Sequence, residues 1–326
     1  MKSELLERLR CPDTRQELRI ETDEARTDDI QTGWLVTADG AHRYPIRGGI
    51  PRFVPESTYA DNFGMQWNYF RQTQLDSNSG HAISAERFWR STGWDPAQLA
   101  GKWVLDAGCG SGRFAEIALA AGAHVVAMDL SVAVEATRAN LERHGNLHVV
   151  QADIYRMPFA VDSFDYVYSL GVLQHTPDVA KAFCSLPPLV KPDGQLCVDY
   201  YRKSWKSALL PVYLVRPFTK RVPRAALFSA LQRIVPTLLP LSRVLGSIPI
   251  AGRVVKRVVP IIEYYGVFPF TPKQHLEWAL LDTFDVWAPE YDQPQSVATA
   301  REWMENARMR NIEVVNYGLV VARGTR

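Results

Sequence analysis

The run Val104-Leu105-Asp106-Ala107-Gly108-Cys109-Gly110-Ser111-Gly112-Arg113-Phe114 decides how the rest of the chain is read. Trp103 to Leu105 are apolar and predict a buried strand. Three glycines at alternate positions let the backbone turn tightly and approach a ligand closely. Phe114 to Ala121 then reads as a helix. Strand, glycine-rich turn and helix N-terminus together make a nucleotide-binding device of doubly wound α/β folds. The spacing Asp-x-Gly-x-Gly-x-Gly differs from the Gly-x-Gly-x-x-Gly that meets a dinucleotide pyrophosphate, which argues against a nicotinamide-dependent oxidoreductase.

A second apolar run, Ala123 to Met128, ends at Asp129, 23 residues after Asp106. Such folds set a carboxylate on a ribose diol at about this spacing. Asp129 could instead cap the helix expected over 132–143, a task open to Ser131 as well. With these residues in place, the chain resembles the class I S-adenosylmethionine (SAM)-dependent methyltransferases, whose first motif is a strand ending in an acid and then Gly-x-Gly-x-Gly. The resemblance implies an α/β, Rossmann-like sheet of seven mostly parallel strands. It implies SAM as cofactor, S-adenosylhomocysteine as product and no metal. Cofactor-binding roles then fall to Asp106, Gly108, Gly110, Gly112, Asp129 and Leu130. A third strand, 147–151, precedes Asp153 and Ile154; by the resemblance Asp153 meets the adenine amino group and Ile154 packs on the ring. The phrase from Pro158 and Phe159 to Ser163, Phe164 and Asp165 before a fourth strand is also typical of the family. The backbone near Leu170 is implied to face the methionine part of the cofactor.

His175 follows that fourth strand, at the sheet edge where ligands of open α/β sheets bind. It is a candidate general base because imidazole titrates near neutral pH. The alternative is a ring that fixes the loop before a helix expected from Pro177. A turn at Lys191 to Gly194 leads to a fifth strand, 195–201. A helix over 295–308 and two strands, 312–315 and 319–322, supply the hairpin that closes the resembled fold. The resemblance covers 101–201 and, less closely, 295–326, which together form the expected methyltransferase core.

Residues 1–58 read as a separate small unit. Cys11-Pro12, Tyr44-Pro45-Ile46 and Gly49-Ile50-Pro51 resemble a zinc-ribbon domain related to activators of tRNA methyltransferases. Thr14 stands where that pattern has a second cysteine, and Thr37 and Gly40 fall near the later pair. One cysteine cannot complete a tetrahedral structural zinc site. The expectation is a ribbon shape without its metal, in a structural or protein-contacting role. The other cysteines (Cys109, Cys184, Cys197) lack metal-ligand spacing and suit a reducing compartment. Residues 59–100 form an aromatic-rich helical linker. In many members of the resembled family such a segment lies over the cofactor, so Gln66, Trp67 and Arg87 are candidates for cofactor or substrate contact; the plainer reading makes them core.

The 326 residues are many for one domain, and an apolar fraction of 47% supports a sizeable core. Charge is distributed unevenly. Between Arg202 and Ile262 stand twelve basic residues and no acidic one, leaving 25 basic against 35 acidic residues elsewhere. The same window is apolar, and seven prolines predict short helices. Basic amphipathic helices suit an anionic membrane surface or a lipid-like acceptor. RNA is the competing partner, although aromatics for base stacking are few. An ordinary helical lid is the plain alternative. Residues 202–294 make up this insert and an acceptor-side loop over 281–296, where Asp285, Tyr291 and Asp292 are candidates for orienting or deprotonating an acceptor; solvated turn acids are the other reading. No uninterrupted run of 18 apolar residues occurs, so no spanning helix is expected. No secretory signal is visible, and the expected location is the cytoplasm, with contact at the inner membrane surface. The expected function is methyl transfer from SAM to an oxygen or nitrogen, less readily carbon, of a small-molecule or lipid-like acceptor. A non-catalytic interaction protein of the same fold is the alternative, weakened by intact motif glycines.

Overall fold

Short apolar runs ended by an acid, a polar residue or a small residue become the parallel strands of a central sheet. The computed structural model describes residues 1–22, 29–54, 61–204 and 210–326. The chain divides into two units, one of Met1–Arg71, Leu75–Arg202 and Gln293–Arg326, the other of Gln72–Gln74 and Lys203–Asp292.

The first unit opens with a four-stranded antiparallel sheet of β1 (Leu18–Glu21), β2 (Thr32–Thr37), β3 (Arg43–Arg47) and β4 (Ile50–Pro51). Helices α1 (Asp61–Tyr69) and α2 (Ile83–Thr92) follow. Then come β5 (Trp103–Ala107), α3 (Ala115–Ala120), β6 (His124–Asp129), α4 (Ala133–Leu141), β7 (Leu147–Gln151), β8 (Phe164–Ser169), α5 (Val179–Cys184) and β9 (Val190–Tyr201). The second unit holds α6 (Arg224–Gly246) and α7 (Pro272–Trp287); α8 (Val297–Asn306), β10 (Arg310–Asn316) and β11 (Leu319–Thr325) return to the first. The large sheet runs β10-β11-β9-β8-β5-β6-β7, with β11 antiparallel to both its neighbours, β10 and β9, and every other pairing parallel. This is the seven-stranded Rossmann-like sheet of the class I methyltransferase fold. Strand order reverses between β5 and β8, and the crevice at such a switch point is where open α/β sheets bind ligands.

Successive side chains of each strand point to opposite faces, and both faces are covered. Leu105, Val126 and Val150 share one core with Leu5, Leu35 and Ile46 of the N-terminal segment and Phe183 of α5. Val104, Val125 and Val149 share the other with Phe88 of α2, Ile117 of α3 and Leu141 of α4. Around Cys11 the Tyr44 hydroxyl lies 3.2 Å from the thiol and donates to Asp13 at 3.3 Å; His42 Nδ1 is 3.6 Å from the same carboxylate. Counting cysteines does not reveal this grouping of Cys11, Asp13 and His42, because two of its members are not cysteines.

Three readings of the insert change. Pro236 and Pro240 lie inside α6 instead of ending short helices. An internal proline costs about 3 kcal/mol, but α6 buries Leu227, Leu231, Val235 and Leu239 along one face, and that packing holds it together. Residues 281–287 are helix, not loop: Thr271 and Gln274 form a capping box, Pro272 starts α7, and Trp278, Leu281 and Phe284 are buried along it. Finally, α6 is long and apolar enough to cross a membrane by length and composition, with a mean hydropathy of 1.2. Its polar residues interrupt every run of 18 without lowering the average enough.

At the N-terminal edge of the sheet Trp103 stacks on His124 (4.9 Å) and His148 (5.0 Å), and the Arg8 guanidinium sits 3.4 Å over Trp103. Burial, with Lys2, His124 and Arg8 adding repulsion, lowers the His148 pKa to about 3, even though Glu4 lies 3.2 Å away. The unfolded chain binds this proton near pH 6.5, so the contribution is complete above that pH and is lost as pH falls towards 3. About 2 kcal/mol should be gone by pH 5. Thermal melts of wild type and His148→Phe between pH 7 and 5 should show a shallower pH dependence in the variant; parallel curves would contradict the assignment.

Candidate functional site

Five strand ends supply the site. The turn after β5 is tied to β6: Gly108 N and Cys109 N donate to the Met128 carbonyl at 2.7 and 2.9 Å. Gly110 N donates to Asp129 Oδ2 at 3.0 Å. Asp129 Oδ1 accepts from Ser131 N (2.8 Å) and Ser131 Oγ (2.7 Å). Ser131 Oγ in turn accepts from Ala133 N at 3.2 Å, so Ser131 serves the start of α4 while Asp129 holds the turn. Gly112 N closes the turn on Cys109 O at 2.8 Å.

All three turn glycines are required by geometry, Gly112 with φ 89° among them. Gly108 has φ 99° and Gly110 φ 53°, both in the left-handed region. A Cβ at Gly110 would also stand 3.1 Å from the Trp67 indole. Trp67 belongs to α1, which Asn68 anchors by donating to Val132 O at 3.1 Å. Gln66, beside it, is buried. The linker helix thus covers the glycine turn.

Asp106 ends β5 nearly buried, and its Oδ2 has no hydrogen-bond partner among the described residues. Burial, with Asp129 adding repulsion, pushes its pKa up to about 8. Burial also raises Asp129, against the hydrogen bonds from Ser131 and Gly110. Past β8, Leu170 is buried and Gly171 N donates to Asp199 Oδ1 at 2.5 Å. Asp199 Oδ2 accepts from Arg87 Nη2 at 2.8 Å, and the same guanidinium lies 5.2 Å over Phe114. Sequence reasoning missed Asp199; its signal was one acid within the apolar strand 195–201.

The remaining candidates are placed as follows. Asp153 Oδ1 accepts from Tyr155 N at 2.9 Å in a turn after β7. Ile154 is buried in the core shared with the N-terminal segment. Leu130 is half-buried, its carbonyl accepting from Gln151 Nε2 at 3.1 Å. His175 is 7% exposed and edge-on to Tyr201 at 5.3 Å. Gln293 pins its loop, with N to Gln174 O at 2.9 Å and Nε2 to Thr176 O at 2.8 Å. The helix after this loop begins at Val179, capped by Asp178, since Pro177 remains outside it. Asp285, Tyr291 and Asp292 belong to the second unit. There Arg216 donates to the Val286 and Pro289 carbonyls at 2.7 and 2.8 Å and stands 4.0 Å from Asp292.

Residues 105–198 match the methyltransferase domain family. This stretch is a class I methyltransferase domain. The ubiquinone biosynthesis O-methyltransferase of Aromatoleum aromaticum is 36% identical over 132 residues, 39% of this chain and 56% of that protein. The enzyme of the same name from Thiobacillus denitrificans gives the same identity and coverage. The chain thus spans a little over half the length of these relatives. Among solved structures, a chain of the complex between the Haloferax volcanii Trm112 methyltransferase activator and a methyltransferase is 15% identical with TM-score 0.45, covering 81% of this chain and 97% of that one. Magnesium protoporphyrin IX methyltransferase from Synechocystis is 16% identical with TM-score 0.44, covering 82% and 96%. At these values neither bears on the site.

SAM is the cofactor of this domain class, and the residues fit it. The glycine turn forms a cradle that a Cβ at Gly110 would crowd, and the ends of β5 and β6 carry Asp106 and Asp129, acids that a cationic ligand would complement. If burial keeps Asp106 protonated in the folded chain, the unfolded state loses that proton near pH 4. Stability then falls as pH rises from 4 towards 8. Asp106→Asn should flatten that slope and melt higher than wild type at pH 8 in scanning calorimetry. An unchanged slope would show the carboxyl to be ionised in the fold.

Proposed function

We propose that this chain transfers the methyl group of SAM to an oxygen of a small-molecule or lipid-like acceptor. The observation that carries the reading is the Gly108–Gly112 turn, locked to Asp129 and covered by Trp67. Asp129 would take the ribose hydroxyls: its plane is fixed by Gly110 and Ser131, and an ionised carboxylate has about four acceptor sites. Asp153 would accept from the adenine amino group, with Leu130 and Ile154 as apolar neighbours. Gly108, Gly112 and the Leu170 backbone would line the remainder. Arg87, oriented by Asp199, offers a cation to a carboxylate, while Asp106 and Asp129 favour positive charge.

The bound cofactor supplies an electrophilic methyl on a sulfonium with a good leaving group. The protein's part is therefore chiefly positioning, which can contribute roughly 7–11 kcal/mol. Trp67 and α1 exclude water from the turn. His175 would take the acceptor's proton, a step worth about 10²–10⁴ in rate. Oxygen is favoured over nitrogen because the matched relatives are O-methyltransferases by name.

Calorimetry tests the cofactor role. Asp129→Ala should weaken SAM binding roughly 10- to 100-fold, the loss expected for hydrogen bonds to a charged group; unchanged affinity would remove Asp129 from the site. A cationic ligand favours ionised Asp106, so binding at pH 7 should release a proton and the measured heat should vary with the buffer's ionisation enthalpy. Incubation with labelled SAM and fractionated extract should place the label in the lipid or small-molecule fraction. Label confined to RNA would overturn the acceptor class.

A further inference from the structure

We infer that the second unit docks on an anionic lipid bilayer through an exposed stripe of α6 and the turn that follows it. One face of α6 is already used: Leu227, Leu231, Val235 and Leu239 are buried, and Phe228 meets Phe284 of α7 at 5.4 Å. A second stripe, Ile234, Leu241, Val244 and Ile248, is spaced by seven, three and four residues and stands exposed. It continues through Ile250, Val254 and Val258. Ile250 has φ 66° and is fully exposed. A β-branched residue is strained in that region of backbone space, and here its aliphatic side chain stands out in solvent. Eleven of the seventeen exposed large apolar side chains among the described residues lie between Leu214 and Val267. That concentration marks an interaction surface.

The charges around the stripe select its occupant. Several cations of the window knit the unit together: Arg216 holds carbonyls of α7 and the loop after it, Lys256 pairs with Glu263 at 2.5 Å, and Arg243 covers Tyr265 at 5.2 Å. Lys220, Arg221, Arg233 and Arg257 are exposed and make no ion pair among the described residues. No acidic residue between 202 and 262 offsets them. An anionic bilayer satisfies both features at once, taking aliphatic side chains into the acyl boundary and cations among the headgroups. A second copy of this face would set Arg233 and Arg257 against like charge. RNA would use the cations and leave the aliphatic stripe in water. The helix lies on the bilayer instead of crossing it, because one face is committed to α7 and two prolines interrupt its hydrogen bonds.

The docking is independent of methyl transfer, and its test reads binding alone. The full chain is sedimented with vesicles of phosphatidylcholine, or of phosphatidylcholine with about one-third phosphatidylglycerol. Binding to the anionic vesicles should exceed binding to neutral ones several-fold and weaken as salt rises. Ile250→Asn with Val254→Asn should lower it about tenfold, with an unchanged melting temperature, since asparagine tolerates positive φ. Lys220→Glu with Arg221→Glu should abolish the preference for anionic vesicles. Absent binding by wild type, or binding by either variant equal to that of wild type, would overturn the proposal. So would a dimer in sedimentation velocity that the Ile250/Val254 variant loses, or release from vesicles by added RNA with retention on the RNA.

Discussion

Asp129 accepts hydrogen bonds from Gly110 N and from both donors of Ser131, and these bonds tie the turn after β5 to the end of β6. The arrangement requires a left-handed backbone at Gly110, where a Cβ would crowd the Trp67 indole at 3.1 Å. It also draws a carboxylate into a site where burial opposes its charge. A cationic, hydroxyl-bearing ligand would relieve that opposition. The central constraint is therefore both steric and electrostatic: a turn too narrow for Cβ atoms, bordered by acids that a positive ligand would complement.

Much of this was legible in the sequence because each part rests on local chemistry. The glycine spacing, the acid 23 residues beyond Asp106 and the alternation of apolar runs are all read along the chain. Contacts between distant segments were not. The ion pair of Arg87 with Asp199 joins positions 112 residues apart, and nothing local to either announces it. The course of α6 through two prolines was hidden too, since proline's local cost is visible in a sequence and the buried stripe that outweighs it is a property of the fold. Residues 281–287 misled for a related reason. Their carboxylates suggested a turn, while Trp278 and Phe284 were committing the same stretch to a helical face.

The two units divide the physical work along the lines of charge. The first gathers carboxylates at strand ends inside a sheet buried on both faces. The second concentrates cations and exposed aliphatic side chains in a segment without acids between 202 and 262. Each pattern is costly in isolation, the one through desolvation and the other through exposed apolar area. In the readings proposed above, a small cationic ligand would offset the first and an extended anionic surface the second.

The most direct measurement is a crystal structure of the full chain grown with saturating S-adenosylhomocysteine. The account predicts the ribose hydroxyls on the Asp129 carboxylate, with the glycine turn unchanged in backbone course. A turn still covered by Trp67 with no ligand bound, or the nucleoside seated elsewhere on the chain, would contradict it.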